Sequence, residues 1–197
     1  GAIAAGVPVL FRRQAPPDEP VTIPPLSPYD PVAVRRARRA MRRGEVGPRP
    51  GPHAALGLKA YAQATSPLRR YQDFVTHRQL RAVVGGQPPP YDLESLQRIA
   101  ATYEEQERGS RQAERGSRDY WMLRWLEQEK RRAAPEPLRV QGAITGIEAR
   151  GRTDIELCET LFVSSVPRRP GHAPGQVLEL LVEQVNPRAG TLLLREE

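Results

Sequence analysis

From residue 138 onward, apolar positions come in short, partly alternating runs at 138–147, 153–157, 160–166, 176–185 and 190–195. Turn formers separate them: Gly151, Pro167, Gly171, Pro174 and Asn186-Pro187. Five short strands in about sixty residues predict a small barrel of the OB type. Upstream the period is helical. Asp30-Pro31 supplies a side-chain cap and a first-turn proline, predicting a helix over 31–43 that Gly44 ends. Val34, Ala37 and Met41 give it a thin apolar stripe. Ser66-Pro67 repeats that start and predicts a helix to about Val84, burying Leu68, Tyr71 and Val75 with Phe74 at the margin. Asp92 caps a long pattern reaching about Arg132. Leu93, Leu96, Ala100 and Tyr103 open its apolar face, and Tyr120, Trp121, Leu123, Trp125 and Leu126 close it.

Other stretches punctuate this pattern. Residues 12–31 hold seven prolines, which excludes a long helix or a central strand and predicts an extended connector. Residues 54–66 fit either helix or strand. Within the long helix, Glu107-Arg108-Gly109-Ser110-Arg111 recurs seven residues later as Glu114-Arg115-Gly116-Ser117-Arg118. Two turns apart, both copies share a face. Glycine costs a helix up to ~1 kcal/mol relative to alanine, so the pair predicts close backbone approach, by a packed helix before a ligand. Ala133-Ala134-Pro135-Glu136-Pro137 reads as a linker between a region 1–133 and a barrel 138–197. The chain opens on an apolar Gly1-Ala2-Ile3-Ala4-Ala5, which reads as entry in mid-element and as part of a larger polypeptide.

Charge changes the picture. Thirty basic against twenty-three acidic residues give +7, and only Lys59 and Lys130 are lysines, so arginine carries almost all of it. Arginine suits bidentate phosphate contacts, which favours a polyanionic partner, nucleic acid ahead of membrane. An arginine-rich codon bias would give the same composition. No apolar run is long enough to span a bilayer. The single cysteine, Cys158, excludes an internal disulfide framework and predicts a reduced, cytoplasmic setting.

The densest chemistry lies in Thr65-Ser66-Pro67-Leu68-Arg69-Arg70-Tyr71-Gln72-Asp73, followed by His77-Arg78. Two arginines in a first helical turn oppose the helix dipole. A bound phosphate would remove the conflict, with the hydroxyls of Thr65 and Ser66 as further donors. Equally, Ser66 caps the helix and the arginines pair, for instance with Asp73. This segment resembles the hallmark of the RNase II / RNase R (RNB) exoribonucleases. Pro8-Val9-Leu10-Phe11-Arg12, Leu56-Gly57-Leu58 with Tyr61, and Ala113-Glu114-Arg115 with Asp119 are similar to flanking segments of that family.

The resemblance implies an α/β (α+β) fold. Residues 1–133 would be the C-terminal part of an RNB catalytic domain with long helices, and 138–197 a five-stranded OB-fold RNA-binding barrel. It implies hydrolysis of single-stranded RNA from the 3′ end to 5′-mononucleotides by two magnesium ions. Arg69 would be the catalytic cation at the scissile phosphate and Arg70 would hold a neighbouring phosphate. Thr65, Ser66 and Tyr71 would line the RNA. Glu114 would accept from a ribose 2′-OH, unless it merely pairs with Arg111 or Arg118. The six aspartates, Asp18, Asp30, Asp73, Asp92, Asp119 and Asp154, stand at least twelve residues apart, so the family's metal-binding cluster is missing. The magnesium ligands are therefore expected outside this chain, in an N-terminal part of the same enzyme that is present as a partner. This isolated segment is expected to be inactive. The alternative is a non-catalytic RNA-binding or regulatory relative. After Trp125 the only aromatic residue is Phe162, so the barrel is expected to grip RNA through cations, Arg150, Arg152, Arg168, Arg169, Arg188 and Arg195 with His172.

Overall fold

A computed structural model describes residues 2–22, 25, 28–148 and 151–197. The chain divides into two compact units, residues 1–21 with 39–111, and residues 22–38 with 112–197.

In the first unit, β1 (Phe11–Arg13) pairs antiparallel with β2 (Glu45–Gly47). α2 (Tyr71–Val84) and the start of α3 (Leu93–Ala133) pack around this ribbon. One core cluster joins Leu10, Val75, Leu96 and Ala100, and a second joins Val7, Val9 and Phe11. Asp92 caps α3 as predicted, its Oδ1 accepting from Ser95 N at 2.8 Å. The segment 54–66 is neither helix nor strand beyond a 3-10 turn at Ala54–Leu56.

α2 departs from expectation in a way that shapes the site. It starts at Tyr71, with Arg70 extended at the N-cap, rather than at Pro67. Ser66 O accepts from Arg69 N and Arg70 N, closing a separate turn, and Ser66 does not cap the helix through its side chain. Leu68 is fully exposed and Tyr71 half-exposed, so of the predicted buried residues only Val75 enters the core. The buried face instead reads Gln72, Asp73, Val75, Thr76 and Gln79. Its polar members are satisfied locally: Gln79 Nε2 donates to Pro8 O (2.7 Å) and Tyr91 O (2.8 Å), and Gln79 Oε1 accepts from Tyr91 N (3.0 Å).

The second unit holds α1 (Pro31–Ala40) over its first eight residues, the end of α3 and five strands, β3 (Arg139–Glu148), β4 (Arg152–Leu157), β5 (Val163–Pro167), β6 (Val177–Asn186) and β7 (Thr191–Glu196). The strand runs follow the predicted ones within a few residues. All pairings are antiparallel in the order β5-β4-β3-β6-β7, and the edges β5 and β7 approach to give a nearly closed barrel. Leu123 and Leu126 of α3 join its core with Ile144, Ile155, Leu157, Leu180, Val182 and Leu194. Trp121 and Trp125, expected on the apolar face, stay exposed at 66% and 40%. Gly109 and Gly116 have open space where a Cβ would stand, so no described residue makes the close approach expected there.

His172 is buried and ties β4 to β7. Its Nδ1 takes the N–H of Arg169 (3.3 Å) and lies 2.9 Å from Thr153 Oγ1, so the ring proton sits on Nε2 and faces Glu196 Oε2 at 3.1 Å. It is thus withdrawn from the surface role given to it above. Gly142 is where the barrel wall leaves no room: a Cβ would meet Ile155 and stand 2.8 Å from Leu180 Cδ1. Gly142→Ala is expected to cost about 1–3 kcal/mol by overpacking. A thermal melt followed by circular dichroism should show the barrel transition several degrees lower.

Candidate nucleic-acid interface

The turn from Thr65 to Arg70 is fixed from below by one carboxylate. Asp73 is fully buried in the first turn of α2. Its Oδ2 accepts from Ser66 N (2.8 Å), Arg70 Nε (3.1 Å) and Arg70 Nη2 (2.9 Å). Arg70 Nη2 also donates to Thr65 Oγ1 at 2.8 Å. Asp73 Oδ1 is buried with no partner among the described residues. Arg70 and Thr65 are therefore occupied internally, as the pairing alternative anticipated. Arg69 is not. It is exposed, and its guanidinium has no hydrogen bond or ion pair among the described residues. One arginine braces the turn and its neighbour is displayed by it.

The incoming segment is tied down as firmly. Arg12 N donates to Tyr61 O at 2.7 Å, Gln63 Oε1 accepts from Arg12 Nη1 (3.3 Å) and from the Gln72 amide, and His77 Nε2 lies 2.6 Å from Ala64 O. Tyr71 and Phe74 stack at 6.2 Å on the exposed side of α2. Arg78 lies 6.0 Å from the Phe74 ring and 5.6 Å from the Tyr91 ring. Phe74 reads from the sequence only as the margin of a buried face, and the bracing glutamines escape the sequence reading. Buried polar residues erase the apolar period that would have marked them.

Of the predicted site residues, Thr65, Ser66, Arg69, Arg70 and Tyr71 stand together in the first unit. Glu114 lies in the second unit on a stretch of α3 exposed from Arg108 to Asp119. Arg111 pairs with Glu107 at 2.8 Å and leaves Glu114 without an ion pair among the described residues. Arg152 is in the barrel and donates to Ser165 Oγ and Ser165 O, both at 2.8 Å. Arg150 falls outside the described residues. Arg169 and Arg195 are engaged by Glu196 (3.2 Å) and Glu183 (2.6 Å). No group of three or more His, Cys, Asp or Glu side chains among the described residues could hold a metal ion, and no described helix is long and apolar enough to cross a membrane.

The RNB domain model matches residues 27–86, the segment that contains this turn. The chain is 43% identical over 122 residues to an uncharacterised ribonuclease of Synechocystis, covering 61% of this chain and 18% of that protein. It is 36% identical over 162 residues to exoribonuclease 2 of Edwardsiella piscicida, covering 81% of this chain and 23% of that one. It thus spans about a fifth of the length of these relatives. Two solved structures share the fold. An active-site mutant of the Dss1 exoribonuclease from Candida glabrata superimposes with a TM-score of 0.80 at 19% identity, over 98% of this chain and 26% of that one. RNase R of Mycoplasma genitalium in complex with ribose-methylated single-stranded RNA gives 0.71 at 16%, over 100% and 39%.

Proposed function

We propose, from the premise that this chain is related to the RNB family of exoribonucleases, that it is part of an enzyme hydrolysing single-stranded RNA processively from the 3′ end to 5′-mononucleotides. The observation that carries this reading is the displayed Arg69, without a partner among the described residues, on a turn braced by Asp73, Arg70 and Thr65. A fixed guanidinium beside a reacting phosphate stabilises the charge that develops on its oxygens, and it needs no reorganisation at that moment. Tyr71 offers a ring face to a base near that phosphate, and Glu114 an acceptor to a ribose hydroxyl.

The residues described do not fit a magnesium site. Magnesium enters this reading only as an ion held by carboxylates outside them, on an N-terminal part of the same enzyme. A cytoplasmic location belongs to the same proposal. Its test is a degradation assay of the full-length protein on 5′-labelled single-stranded RNA. The expected result is a ladder that shortens from the 3′ end with magnesium and stops when a chelator is added. RNA left intact with magnesium would overturn the enzyme reading.

A further inference from the structure

OB barrels bind oligonucleotides on the outer face of their second and third strands. In this barrel those strands are β4 and β5, and the outward residues of β4 are Arg152, Asp154 and Glu156. The chain itself engages all three. Tyr29 Oη donates to Glu156 Oε1 at 2.7 Å. Arg35 of α1 pairs with Asp154 and donates to Thr145 Oγ1 at 2.9 Å. Its guanidinium would lie only 3.3 Å from a Cβ on Gly146, so it rests flat against β3. Arg152 is held by Ser165. The hydrogen bond donated to Glu156, with burial second, pushes the Tyr29 phenol up to about 12, so the contact stays protonated through the neutral range. Two carboxylates under a cover of Tyr29 and Arg35 make a poor seat for a polyanion.

Another surface of the same unit has the opposite character. Trp121 and Trp125 stand one turn apart on α3, and with Met122, Arg118 and the β4–β5 turn residues Glu159 and Thr160 they line an open groove. Tyr120 packs edge-on to Trp121 at 5.2 Å and steadies its ring. Arg115 and Arg118 have no ion pair among the described residues. Indole faces beside free guanidinium groups are what single-stranded nucleic acid uses, bases stacking while phosphates meet the cations. A purely apolar partner would leave those cations unmatched.

We propose that the groove of Arg118, Trp121, Met122 and Trp125 binds a segment of single-stranded RNA, in place of the covered β4–β5 face. Bases stack on the two indoles, and Arg118 takes a phosphate. The choice of ligand rests on the exoribonuclease reading, but the contacts lie on residues outside the hallmark turn.

The test uses the full-length protein and a labelled, 2′-O-methylated oligouridylate, with anisotropy and intrinsic tryptophan fluorescence as readouts. Binding should quench the fluorescence. Trp121→Ala and Trp125→Ala should each weaken binding about tenfold, and Trp121→Phe should restore most of it. Arg118→Ala should flatten the slope of log K against log salt by about 0.7, one phosphate on a single strand. Tyr29→Phe, which unpins the cover, should leave the affinity unchanged. Unaltered affinity in both alanine variants, in a protein that still forms the 3′ ladder, would overturn this site and leave the enzyme reading standing. A gain in affinity with Tyr29→Phe would place the RNA on the freed β4–β5 face and also overturn it. A parent protein that neither binds nor degrades RNA would overturn both.

Discussion

Arg69→Ala in the full-length protein is expected to lower the turnover of single-stranded RNA by about 10²–10³-fold, the loss typical of one preorganised charge-stabilising donor. RNA affinity should change far less, because Arg69 is one cation on a chain of formal charge +7. The fold should not suffer, since an exposed side chain with no partner among the described residues leaves nothing unsatisfied when it is removed. Single-turnover kinetics with saturating enzyme would separate the chemical step from binding. Arg69→Lys should recover only part of the rate, because a point charge does not reproduce the planar fork of donors. Normal turnover in the alanine variant would remove Arg69 from the mechanism.

The helix pattern alone does not distinguish the two adjacent arginines; only the family resemblance gives them separate roles. Both fall on what reads as one helix start, and the phosphate and ion-pair readings stood even. The structure divides them, because Asp73 draws Arg70 inward while the turn at Ser66 points its neighbour out. The barrel was far easier to read. Its strands alternate, its turns carry glycine, proline and asparagine, and side-chain direction in a strand follows from position alone. α2 lies at the other extreme. A helix whose buried face is Gln72, Asp73, Thr76 and Gln79 around Val75 has no apolar stripe to find, and its true start depends on a carboxylate seven residues beyond Ser66. The tryptophans of α3 misled for a related reason. At the helix end, Leu123 and Leu126 already fill the barrel core, and Trp121 and Trp125, one turn apart, share the opposite side of the helix. The cover on β4 could not be read either, since pairing Tyr29 with Glu156 and Arg35 with Asp154 spans more than a hundred residues.

Asp73→Ala is expected to be the most damaging change in the first unit, at about 3–5 kcal/mol, the loss on removing one partner of a buried charge pair. Three bonds end on one oxygen of this fully buried carboxylate. Removing it strands the Ser66 N–H and the partly buried guanidinium of Arg70 together. Arg70→Ala should cost nearly as much, because it leaves the fully buried Asp73 carboxylate with the Ser66 N–H as its one donor among the described residues. The double variant should fall well short of the sum, since the second deletion removes the group that the first left unpaired. Denaturant titration of the four proteins measures that coupling. Asp73→Asn keeps an acceptor for Ser66 but loses the charge that holds Arg70, so it should fold and still present Arg69 on a looser turn. Its turnover should then drop by more than its stability does. Equal stability of the Asp73→Ala and parent proteins would show that the turn is held by something other than this carboxylate. The display of Arg69 would then need another cause.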